Sequence, residues 1–181
     1  HRYIDEKKRI AAAALELIEN GDTILMDAGS TTYSLALLLH KRERLTVVTH
    51  DLNIATKLAA NPAINLICTG GIARENVFTL EGVQVTDFIR NLSVDKTFLG
   101  ADAIHPDGII SNVNIQEVPI KQAMINAADM VILLTDSSKF GTTAFAKVCQ
   151  ITDCDYLITD TGLSKEYSEF IRSKNVHLIL A

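Results

Sequence analysis

The chain has 181 residues, is 48% hydrophobic and carries a formal net charge of -5. That length suits one well-filled domain or two small ones with a sizeable core. The acidic balance argues against this chain gripping nucleic acid unaided, which takes clustered Lys and Arg, and no apolar run approaches the roughly 20 residues of a membrane span.

Residues 2–20 predict a helix, with Ile10, Ala14 and Ile18 recurring at i+4 and Ala11 and Leu15 beside them; Gly21 stops it. Thr23–Asp27 is a short apolar strand, after which Ser30 or Thr31 caps a helix through His40. "LTVVTH" predicts strand two, and a helix from Asp51 to about Ala60 ends before Pro62. "INLICT" is strand three, ending in Gly70-Gly71, and Glu81–Asn91 is helical. "DKTFLGA" is strand four, residues 105–114 a loop, and Glu117–Ala128 a helix with Ile120, Met124 and Ala127 on one face. "MVILLT", "DYLIT" and "VHLIL" give strands five to seven, with a helix at Ser164–Lys174 between the last two. The stretch 70–120 is the least regular and reads as a small subdomain at the edge of a site.

Strand–helix alternation with nearly all-apolar strands predicts a mostly parallel sheet covered on both faces, a three-layer α/β/α fold. Ligands of such sheets bind beyond the carboxyl ends of the strands. Those ends read Asp27-Ala-Gly29-Ser30, Thr49-His50-Asp51, Thr69-Gly70-Gly71, Gly100-Ala-Asp102 and Thr135-Asp136-Ser-Ser-Lys139.

Gly29-Ser30-Thr31-Thr32 joins a strand to a helix. A helix start exposes unpaired N–H groups and partial positive charge, so these residues suit a phosphate or carboxylate; they also suit a simple cap. Neither Gly-x-Gly-x-x-Gly nor a Walker loop is present, which argues against a dinucleotide or ATP. Lys139 follows a strand end where a cation meets an anionic ligand. Arg74 and His50 stay open between a ligand contact and an ordinary surface or helix-start residue. Asp102, Glu117 and Asp136 lie in the same region. The three cysteines, Cys68, Cys149 and Cys154, lack metal-ligand spacing, and Cys68 reads as an inert core thiol. No metal, cofactor or signal peptide is expected, and the cytoplasm is the expected compartment.

"ILMDAGSTTYSLALLL", "LTVVTHDLNIATKL", "INLICTGG", "TLEG", "FLGADAI", "EVPIKQAMINAADMVILLTDSSKFG" and "DYLITD" occur in this order. Together they resemble the C-terminal effector-sensing domain of DeoR-family transcriptional regulators, over nearly the whole chain. The resemblance implies the fold of ribose-5-phosphate isomerase, glucosamine-6-phosphate deaminase and the CoA transferases, and one effector domain over residues 1–181. It implies a phosphorylated sugar as partner, contacted by Gly29, Ser30, Thr31, Thr32 and Lys139, with Asp27, Gly70, Gly71, Asp102, Glu117, Lys121 and Asp136 lining the site; Arg74 is added to the expected ligand contacts without support from the resemblance. It also implies operator DNA bound only through a winged helix-turn-helix preceding His1, a homodimer or homotetramer, and no membrane partner.

An isomerase on the same fold is the alternative. Such enzymes follow "GADAI" with a Lys-Gly-rich run and a catalytic carboxylate. Here "IISNVNIQEVPIK" carries Asn112 and Asn114 in place of that run, although Glu117 could mimic the carboxylate. A CoA transferase needs a nucleophilic glutamate in a glycine-flanked loop, for which Glu81-Gly82 is the nearest match. The expectation is a sensor, not an enzyme, with no catalytic residue.

Overall fold

The computed structural model describes residues 3–181. Its centre is a seven-stranded sheet formed by β1 (Thr23–Met26), β2 (Leu45–Thr49), β3 (Ile64–Cys68), β6 (Val94–Leu99), β9 (Ala128–Leu134), β11 (Tyr156–Thr159) and β12 (His177–Leu180). The spatial order is β12-β11-β9-β6-β1-β2-β3 and every pairing is parallel. The chain winds outward from β1 to β3, then returns to the other side of β1 as β6. The order therefore reverses between β1 and β6, where Ile24 pairs with Lys96 and Met26 with Phe98.

Alternate strand residues feed two separate cores. Ile24, Met26, Phe98 and Ile132 pack with Ile10 and Ala14 of α1 (Ile4–Leu15), Leu35 of α2 (Ser30–Ala36) and Ile54 of α3 (Leu52–Ala59). Leu25, Leu99, Val131 and Leu133 pack on the other face with Ile89 of α4 (Val83–Arg90), Met124 of α5 (Glu117–Ala127) and Ile171 of α6 (Lys165–Ser173). The expected three-layer α/β/α architecture is what forms. Among the described residues no helix is long and apolar enough to cross a membrane.

Several boundaries differ from expectation. The expected helix start at Arg2 lies outside the described residues. At the other end α1 stops at Leu15, because Leu17 and Ile18 donate to carbonyls only three residues back and tighten the chain into turns. The second helix stops at Ala36, and a separate 3-10 turn at Leu39–Lys41 carries the chain on. Residues 105–114 are not simply a loop: β7 (Ala103–Ile104), β8 (Ile109–Asn112) and β10 (Ala146–Gln150) form a small antiparallel sheet. A hairpin of β4 (Ile72–Ala73) and β5 (Leu80–Glu81) follows β3. Cys68 is exposed, not a core thiol, because β3 is an edge strand with one flank open.

The hairpin rests on one glycine. Gly71 has φ 122°, and a Cβ there would lie 2.7 Å from Val85 Cγ2 and 2.9 Å from the Glu81 carbonyl oxygen. Gly70, at φ 70°, has open space around it. Gly71→Ala is therefore expected to cost about 2–3 kcal/mol, against about 1 kcal/mol for Gly70→Ala. Thermal melts of the two variants check the difference.

Candidate functional site

A cavity of about 220 Å³ opens beyond the carboxyl ends of β1, β6 and β9, at the point where the strand order reverses. One wall comes from the α1–α3 face of the sheet: Lys7 of α1, and Gly29, Ser30, Thr31 and Thr32 at the start of α2. The opposite wall comes from the α5 face: Asn112 at the end of β8, with Glu117 and Lys121 of α5. Gly100, Asp102, Thr135, Asp136 and Lys139 enter from the ends of β6 and β9, and Thr79 from the hairpin.

The floor is Asp27, which is 0% exposed. Its carboxylate accepts from the backbone N–H of Ala28 at 2.9 Å and of Gly100 at 3.0 Å, and from Lys121 Nζ. Lys121 Nζ also donates to the Gly100 carbonyl at 2.9 Å. This set ties β1, β6 and α5 together. Burial alone would raise the Asp27 pKa; Lys121, then His50, overcome it and hold the carboxyl below its ordinary value. Burial likewise works against the Lys121 charge, but Asp27 and then Glu117 raise its pKa overall.

His50 directly follows β2 and stands beside Asp27 without lining the cavity. It is 1% exposed, its Nε2 stands 3.5 Å from Asp27 Oδ1, and that nitrogen has no hydrogen-bond partner among the described residues. Burial holds its pKa below 6.5 against the pull of Asp27. Asp51 caps α3 by accepting from the N–H groups of Asn53 and Ile54, and its second oxygen accepts from Gly29 N at 3.3 Å. The start of α2 is thereby anchored to the start of α3.

Among the described residues, the Ser30 and Thr31 hydroxyls have no protein partner, whereas Thr32 Oγ1 donates to the Gly29 carbonyl at 3.0 Å. On the facing wall, Asn112 Nδ2 donates to Glu117 Oε2 at 3.1 Å. Asn112 is 2% exposed, and its Oδ1 has no partner among the described residues. Burial raises the Glu117 pKa, opposed by Lys121. Asp102 accepts from Val113 N at 2.8 Å, and Asp136 caps the turn at Ser137–Lys139 by accepting from Ser138 N.

Of the residues singled out from sequence, Gly29, Ser30, Thr31, Thr32, Asp102, Glu117, Lys121, Asp136 and Lys139 line this one cavity, with Asp27 below them. Gly70, Gly71 and Arg74 do not. They follow β3, two strands from β1 and so roughly 10 Å across the sheet. Lys7 and Thr79 line the cavity with no expectation attached to them, together with Asn112, read from sequence only as a departure from the isomerase loop, and Thr135, read only as a strand end. For Lys7 a signal existed: it sits three, four and seven residues before Ile10, Ala11 and Ala14, in register with the buried stripe of α1.

The family model described as "DeoR C terminal sensor domain" matches residues 2–161. The HTH-type transcriptional regulator GolR of Listeria innocua is 37% identical over 170 residues, covering 93% of this chain and 67% of the relative. The glycerol-3-phosphate regulon repressor of Escherichia coli (strain K12) is 34% identical over 176 residues, covering 97% of this chain and 70% of the relative. The chain thus spans about two thirds of the length of the curated relatives it matches. Among solved structures, ribose 5-phosphate isomerase A from Methanocaldococcus jannaschii superposes with a TM-score of 0.56 at 18% identity, over 76% of this chain and 55% of that one. At that identity the likeness is one of fold.

Two outcomes follow from the floor. Lys121→Met leaves the Asp27 charge buried and unpaired, so it should cost about 3–5 kcal/mol at neutral pH, and adding Asp27→Asn should recover most of the loss. Denaturant melts of both variants read this. For His50 the sign is set by its lowered pKa. As pH falls through 6.5, the unfolded chain takes up a proton that the folded chain refuses, so stability falls. Glu117 acts with the opposite sign, losing its contribution as pH rises through its raised pKa. The measure is therefore a difference: between about pH 7.5 and 5.5 the melting temperature of His50→Gln should fall less than that of the wild type.

Proposed function

The chain belongs to the DeoR C-terminal sensor domain family, and on that premise we propose that it is the effector-sensing part of a transcriptional repressor that binds a phosphorylated sugar. The observation that carries this reading is the pairing of two unlike walls around one cavity. The free hydroxyls of Ser30 and Thr31 at a helix start, with Lys7 and Lys139, suit a phosphate. Asn112 Oδ1, Glu117 and Asp102 supply acceptors for the hydroxyls of a sugar. The name of the Escherichia coli relative, a glycerol-3-phosphate regulon repressor, agrees with a small phosphorylated polyol.

The action is linkage. The sugar phosphate binds one arrangement of a homodimer or homotetramer better than another, and DNA-binding segments elsewhere in the whole protein are respaced on the operator. The coupling is no larger than the ligand's differential affinity for the two arrangements. Such a protein works in the cytoplasm beside its operator. One feature favours a second reading, a sugar-phosphate isomerase: Glu117 is a carboxyl of raised pKa in the cavity, beside a lysine.

A thermal-shift screen of pentose, hexose and triose phosphates, their free sugars and inorganic phosphate tests both readings. A true effector at a hundred times its Kd stabilises by about 2.7 kcal/mol, or roughly 5–10 °C for a domain of this size. Phosphorylated sugars should exceed their free counterparts, with inorganic phosphate giving a small fraction of the shift. By calorimetry, Ser30→Ala, Thr31→Ala and Lys139→Ala should each weaken binding about ten- to a hundredfold. Equal shifts from free sugars and their phosphates would sink the phosphate site. Conversion of the bound sugar phosphate at enzyme-like rates would establish the isomerase instead.

A further inference from the structure

Five large apolar side chains, Ile72, Val83, Val113, Ile115 and Phe145, are 56–81% exposed. They come from the hairpin, the start of α4, the 113–115 turn and the segment before β10, and the structure places these side by side. Ile72 Cδ1 lies 3.9 Å from where a Cβ on Gly82 would stand, so it neighbours the start of α4 and Val83. Val83 shares a shallow groove with Gln116 and Pro119, next to Ile115. Asn114 Nδ2 donates to Glu81 Oε2 at 3.1 Å and fastens the 113–115 turn to the hairpin. Ala146 pairs with Asn112 in antiparallel register, which sets Phe145 beside Val113.

We propose that this face docks a second copy of the chain, forming a two-fold dimer around these five residues. Together they offer on the order of 600 Å² of apolar surface, at the upper end of what a lone monomer exposes and most of the roughly 800 Å² per partner of a stable interface. The charges on the hairpin, α4 and β10, namely Arg74, Glu75, Glu81, Asp87, Arg90 and Lys147, cancel, and Arg90 already pairs with Asp87 at 3.6 Å. A chain of net charge -5 repels its own copies over most approaches, so a neutral apolar face is where two copies can meet. A two-fold contact needs that self-complementarity, because each residue faces the same patch on the partner. The face also shares β8 and its exit turn with the cavity, since Asn112 lines the cavity and Val113 N donates to Asp102.

Sedimentation of the 181-residue chain over a range of micromolar concentrations tests the proposal. The wild type should be a dimer, and Val113→Asp, Phe145→Asp and Val83→Asp, on three separate elements, should each raise the dimer dissociation constant about a hundredfold or more by burying a charge. Should a variant lose its cooperative melt, hydrogen exchange on the wild type decides. Amides at 72–74 and 113–115 should be more protected at high than at low protein concentration. A monomeric wild type, a dimer indifferent to all three substitutions, or concentration-dependent protection elsewhere overturns the proposal. None of these readouts uses the sugar phosphate, so failed ligand binding with intact self-association counts against the preceding function alone.

Discussion

The buried pair of Asp27 and Lys121 holds the site end of the molecule together. One carboxylate, just past the end of β1, fastens that strand to the first backbone N–H after β6 and to the first turns of α5. A charge with 0% exposure is tolerable only because each oxygen has a donor and a cation stands against it. Lys121 in turn holds the Gly100 carbonyl. The two sides of the strand-order reversal are thus bolted at the level where a cavity could otherwise splay. The opposite end of the same strands has its own bolt, Lys96 to Asp22 at 2.6 Å.

Above that floor the site divides its labour by sheet face. Residues from α1 and α2 bring Lys7 and the hydroxyls of Ser30 and Thr31; β8 and α5 bring Asn112 and Glu117, with Lys121 engaged by Asp27. The division follows from winding: a sheet covered on both faces can present two chemically different walls to one ligand at its edge. The isomerase shares this fold, and nothing in the architecture alone separates a sensor from an enzyme. What separates them here is the sequence comparison, in which the family model and the curated relatives are those of transcriptional regulators.

The main sheet was legible in the sequence because its strands are short, nearly unbroken apolar runs, and their order in the chain gave the layers. The small sheet was not. β8 lies among Pro106, Asp107, Gly108 and Asn114, residues that signal turns, and β10 alternates too briefly to stand out. Their strand character comes from pairing with each other, a tertiary effect. The lining of the candidate cavity was legible wherever it sits on strand ends next to the order reversal, as at Gly29, Asp102 and Asp136. Gly70 and Gly71 looked equally suited, but glycine at a strand end reports only backbone freedom, and here it serves the hairpin's packing against Val85. Thr79 had no local signal at all: it reaches the cavity through a bridge to Asp51, 28 positions away in the chain.

The pairing of β1 with β6 has a consequence for how the chain comes into being. Ile24 meets Lys96 only after more than seventy intervening residues have been made, and those residues include the whole of β2 and β3. Until β6 is made, the flank of β1 that it pairs with has no partner strand, and the start of α2 has no opposite wall. Lys121 arrives later still, and until it does the Asp27 carboxylate has no cation to offset its burial. The cavity is a late event in biosynthesis, written by the last half of the chain onto the first.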